Sequence, residues 1–70
     1  MSVNKGEKRL VVKGFPAKSG GRSGEFDIPA GEYVTVVKVK ANQVTFVGPD
    51  NFRYDVNRGT FAASTQPSGG

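Results

Sequence analysis

Six carboxylates, Glu7, Glu25, Asp27, Glu32, Asp50 and Asp55, carry the acid–base and metal-binding potential of this 70-residue chain, which has no histidine and no cysteine. Glu25 and Asp27 flank Phe26 and share the outer face of one short strand. A carboxylate pair can hold a metal or move a proton. Two acids on a solvated strand edge more simply keep that edge soluble. The serines and threonines have no histidine or candidate base lysine beside them to activate a hydroxyl. The run Lys18-Ser19-Gly20-Gly21-Arg22-Ser23-Gly24 is glycine-rich, yet it lacks the Gly-Lys-Ser/Thr order before a helix that cradles a phosphate. Without Cys or His there are no disulfide staples, no thiol or imidazole chemistry and no ordinary zinc site. The chain reads as a non-enzyme with no cofactor, no metal and no small-molecule substrate.

What remains is charge and a few aromatic rings. Ten Lys and Arg stand against six Asp and Glu, a formal net charge of +4. The excess is uneven. Residues 5–22 hold Lys5, Lys8, Arg9, Lys13, Lys18 and Arg22 against Glu7 alone, whereas residues 25–32 hold three acids and no base. Lys38, Lys40 and Arg53 alternate outward from neighbouring strands. With Arg9 or Lys13 beside them, and Lys18 and Arg22 reaching from a loop, they make a basic face for the phosphate backbone of DNA or RNA. A soluble surface of ordinary composition carries a similar charge. The second function reading is a protein-interaction adaptor or regulator that docks on a larger protein or complex. Its surface is Phe15-Pro16 at a loop entrance, with Tyr33 and an exposed Val47, because exposed rings anchor protein interfaces.

The elements that position these groups are strands. Ten glycines punctuate the chain, and the β-branched and aromatic residues cluster between them, the pattern of a small all-β domain. Lys8–Lys13 is a short strand of ambiguous phase: Leu10 and Val12 face the core with Arg9 and Val11 outside, or Val11 is the buried one. Phe15–Gly24 is a loop by its Pro, Gly and Ser content. Phe26 and Ile28 share one face, and Pro29-Ala30-Gly31-Glu32 turns the chain. In Glu32–Lys40, Val34 and Val36 are out of phase with Val37 and Val39, which predicts a bulge near Val36-Val37. Val44 and Phe46 point inward in the next strand, then Phe52, Tyr54 and Val56. Asn57-Arg58-Gly59 is a 3₁₀ turn, and Thr60–Ala63 is a last strand anchored by Phe61. Ile28, Val34, Val36, Phe46, Phe52, Tyr54 and Phe61 are the expected core.

Residues 26–36 resemble the diverging turn and second strand of SH3-like barrels. An apolar pair, Phe26 and Ile28, precedes a spacer, then Gly31-Glu32, then the alternating Val34 and Val36. The long loop before them and the turn at Gly48–Asn51 resemble that family's first loop and distal hairpin. The resemblance covers about residues 8–63 and implies a five-stranded SH3-like barrel with a long first loop, short hairpins and a 3₁₀ turn before the last strand. The polyproline site of that family is missing: there is no Trp, Tyr33 and Tyr54 lie far apart, and the loop carries Lys18 and Arg22 in place of acids.

The expected organisation is a flexible arm at residues 1–7, the barrel at 8–63 and a disordered tail at 64–70. Gly69-Gly70 belongs to that low-complexity tail. No apolar run reaches the roughly 18 to 20 residues that span a bilayer, and residues 1–14 carry no signal-peptide core. A cytoplasmic monomer or weak dimer without membrane contact is the expectation.

Overall fold

The phase change along the chain's longest strand bends the whole sheet. Strand β4 (Tyr33–Val39) buries Val34 and Val36, then shifts register between Val36 and Lys38. Its first half pairs with β1 (Lys8–Val11), and it also pairs with β5 (Gln43–Val47) from Thr35 to Val39. The expected bulge therefore sits where one strand serves both arms of a curled sheet. The protein is seen in a computed structural model that describes residues 3–19 and 24–68. Its remaining elements are β2 (Phe15–Ser19), β3 (Glu25–Ile28), β6 (Arg53–Asn57), α1 (Arg58–Ser64) and β7 (Thr65–Pro67). All strand pairs are antiparallel, in the order β3-β2-β6-β5-β4-β1-β7. The result is an all-β half-barrel of seven strands rather than five.

The segment expected to be a loop supplies one extra strand. In β2 the residues Phe15, Ala17 and Ser19 are buried while Pro16 and Lys18 are exposed. The alternation is strict, but Ala and Ser contribute little hydropathy, so it hides beneath a loop-like composition. Pro16 is tolerated because β2 there has only β3 as a neighbour; its ladder with β6 begins at Lys18.

The C-terminal end departs furthest from expectation. Thr60–Ala63 is helical, not extended, and the expected 3₁₀ turn is the start of α1. The Asn57 side chain accepts hydrogen bonds from the Gly59 and Thr60 amides at 2.8 and 3.3 Å and so caps the helix. Seven residues are too few to show helical periodicity; Phe61 and Ser64, one turn apart, are its buried residues. The residues after Ser64, expected to be a tail, form β7 on the outer side of β1. At the other end, Val3 is buried, and the Gly6 amide and Glu7 carbonyl bond to the two backbone groups of Val36 at 2.7 and 2.9 Å. Residues 3–7 are fastened to β4 and do not form a free arm. Residues 1, 2, 69 and 70 lie outside the described residues, Gly69-Gly70 included.

The core takes Ile28, Val34, Val36, Phe46, Tyr54 and Phe61 as expected, and adds Val3, Val11, Phe15, Ala17, Val44 and Val56. The rings of Phe15, Phe46 and Phe61 meet at centroid separations of 5.3 to 6.1 Å. Tyr54 stacks on Phe46 at 5.7 Å and lies so close over Gly48 that a Cβ there would fall 2.9 Å from its ring. Phe52 is the exception, 48% exposed. It has the inward phase but precedes the first β5–β6 pair, Val47 with Arg53, and so belongs to the turn before β6 rather than to the strand. Gly31, at φ +92°, makes the turn before β4, and its amide bonds to the Val11 carbonyl at 2.7 Å. The outer strands are protected from edge-to-edge pairing by Glu25 and Asp27 on β3 and by Pro67 on β7.

Candidate nucleic-acid interface

Strand register decides which cations meet. Across the outer face one transverse row runs Lys8, Thr35, Val47, Arg53, through β1, β4, β5 and β6. The next row runs Lys38, Thr45, Asp55, Lys18, Glu25, through β4, β5, β6, β2 and β3. Lys8, Lys18, Lys38 and Arg53 are exposed: Lys18 lies between buried neighbours, Lys8 and Arg53 lie at strand ends beside one, and Lys38 lies between partly buried Val37 and Val39. Four positive charges thus share one side of the sheet. Lys40 follows β4 directly and is exposed; its amide closes the β4–β5 hairpin on the Gln43 carbonyl at 2.8 Å. Two carboxylates share the second row: Asp55, engaged by the Thr45 hydroxyl at 2.5 Å, and exposed Glu25, opposite Lys18 at its end. The ion pair found among the described residues is Arg9 with Glu7. Side chains on one sheet face without ion pairs leave their field open to an anion.

Arg9 does not belong to this face. It is 1% exposed and points into the closure between β1, α1 and β7. Its Nε donates to Thr65 Oγ1 at 2.7 Å, one Nη to the Thr65 carbonyl at 3.1 Å and the other to Glu7 Oε2 at 3.0 Å. Its guanidinium lies 5.6 Å from the Phe61 ring centroid. Burial of a guanidinium is tolerated because acceptors and a counter-charge come with it. This resolves the phase of β1: Arg9 and Val11 face in, and Lys8 and Leu10 face out. Lys13 lies beyond β1, where its amide bonds to the Ser64 carbonyl at 3.2 Å at the end of α1, away from the two rows. Arg22 lies outside the described residues.

The residues expected to form a protein-docking surface are dispersed. Phe15 is buried among Phe46 and Phe61 and is a core residue, because β2 is a strand that turns it inward. Pro16 is exposed on the opposite phase of β2. Tyr33 is 49% exposed, and Val47 is half-buried in the middle of the first cationic row. The sequence reading missed Lys8 as a site residue. Its signal was the phase of β1, obscured by the consecutive Leu10, Val11 and Val12.

Where β2 splays from β6 an open groove of about 340 Å³ forms, lined by Pro16, Lys18, Glu25, Asp55, Asn57 and Thr60 among others. Its lysine stands against two carboxylates, so no single charge dominates it. Among the described residues no group of three or more acidic, His or Cys side chains is placed to hold a metal ion. No helix among them is long and apolar enough to cross a membrane. No protein-family model, no curated protein and no solved structure matches the chain.

Proposed function

We propose that the chain is a non-enzymatic binding module with an SH3-like barrel, and that its outer sheet face docks on the phosphate backbone of a nucleic acid. Lys8, Lys38 and Arg53 are the central contacts, with Lys18 and Lys40 at the margin. The observation that carries this reading is the common outer face of four exposed cations, none of them in an ion pair among the described residues. Barrel kinship is supported by the strand order. With the β2–β3 hairpin set aside, β7, β1, β4, β5 and β6 are successive neighbours, and α1 occupies the place of a short helical turn before the last strand. A cytoplasmic setting fits a cysteine-free chain with a polyanionic partner.

The test is a fluorescence-anisotropy titration with single- and double-stranded DNA and RNA at two salt concentrations. Each phosphate contact adds a slope of about 0.9 to the fall of log affinity with log salt on duplex DNA. Four contacts predict about a hundredfold loss between 50 and 200 mM salt. No binding tighter than about 0.1 mM to any of the four at low salt removes the reading. The adaptor reading then takes its place, through half-exposed Tyr33 with Leu10 and Val47 on the same face. Rings and aliphatic groups at its centre make such an interface far less salt-sensitive.

A further inference from the structure

We propose that the strand docked on this face is single, and that one of its unpaired bases stacks on Tyr33. The proposal rests on the phosphate-binding reading and extends it from charge to base. Tyr33 opens β4 with outward phase, since Val34 and Val36 are buried and Thr35 is exposed. Half of its surface meets solvent. The Lys8 ammonium lies over its ring, 4.8 Å from the centroid. Leu10 lies opposite Tyr33 on β1.

Ring and cations are therefore parts of one surface. Thr35, two residues along β4 from Tyr33, sits in the row that ends at Arg53 two strands further on, about 10 Å at ordinary strand spacing. Exposed rings beside basic side chains bind single strands because every unpaired base offers a π-face, while a duplex keeps those faces stacked inside. A protein-docking ring sits instead in an interface core depleted of charged side chains. Tyr33 is bordered by Leu10, Thr35 and Lys8, whose ammonium lies over the ring, with Lys38 and Arg53 beyond, which suits a base attached to a polyanion. Lys8 is exposed and outside any ion pair among the described residues, so its ammonium turns from the ring to the adjoining phosphate as the base takes its place.

The experiment compares a labelled oligothymidylate, an abasic oligomer of the same length and charge, and a duplex, each against the parent, Tyr33→Ala and Tyr33→Phe. The expected result is about tenfold weaker binding of the abasic strand than of oligothymidylate by the parent. Tyr33→Ala loses the same factor on oligothymidylate and nothing on the abasic strand. Tyr33→Phe, which keeps the ring, binds like the parent. Circular dichroism of Tyr33→Ala should match the parent, since the residue lies outside the core. Equal binding of oligothymidylate and abasic strand by the parent, or parent-like binding of oligothymidylate by a folded Tyr33→Ala, overturns the stacking proposal while leaving the phosphate reading in place. Should Tyr33→Ala not fold, the parent's comparison of the two strands decides alone. Absence of binding to all three ligands overturns both.

Discussion

Arg9 and Arg53 are the same side chain in two opposite settings. Arg9 sits on an inward position of β1 and spends its donors on Glu7 and on both oxygens of Thr65. Arg53 sits on an outward position of β6, in a row with Thr35 and Val47, and belongs to no ion pair among the described residues. One arginine closes the barrel and the other is left for a partner. The contrast teaches that a count of positive charges says little about a binding face. Strand phase and the supply of nearby acceptors decide what each charge does.

The sharpest way to break this contrast is to remove each arginine in turn. Arg9→Ala should destabilise the fold by about 3 kcal/mol, because Glu7 and the Thr65 oxygens lose a buried partner together. Equilibrium urea unfolding measures it, and a loss no larger than that of a surface substitution would make Arg9 a passenger. Arg9→Ala combined with Thr65→Val should be non-additive by about 1 kcal/mol, as for groups in one hydrogen-bond network. Asn57→Ala removes the cap of α1, the helix that holds Phe61 over Arg9, and should cost about 1 kcal/mol in the same assay. At the small end, Arg53→Ala and Phe52→Ala should each change stability by no more than about 0.5 kcal/mol, as exposed positions do. Arg53→Ala alone should also lower the salt slope of nucleic-acid binding by about one. A substantial loss of stability in Phe52→Ala would return that ring to the core.

These contrasts also mark what was legible in the sequence. The alternation of β5 and β6 placed Val44, Phe46, Tyr54 and Val56 inward and Arg53 outward. The broken phase after Val36 located the bulge. Arg53 was placed on the outer side because β6 alternates cleanly, and Lys38 because it lies between Val37 and Val39, which share a face. β2 was invisible because its inward positions include Ala17 and Ser19, which look like loop residues. β7 and the start of α1 are polar, and their order comes from distant partners: Asn57 for the helix, Arg9 and β1 for the strand. Arg9 itself was misplaced because three consecutive apolar residues left β1 without a readable phase. Local patterns report local structure, whereas a buried arginine is explained by an acceptor that is remote in the chain.

That remoteness has a kinetic consequence. The hydrogen bonds from Arg9 to Thr65 join residues 56 positions apart, and β7 is the neighbour that covers the outer side of β1. During synthesis β1 emerges with a charged side chain turned toward an interior that is not yet complete. The meander of β4, β5 and β6 can assemble from contacts between neighbours in the chain, but the guanidinium must wait until residue 65 exists and has folded back. Closing so long a loop is entropically slow, and its reward comes only when the strand docks. A strand made more than fifty residues later is thus the one that seats the charge of β1.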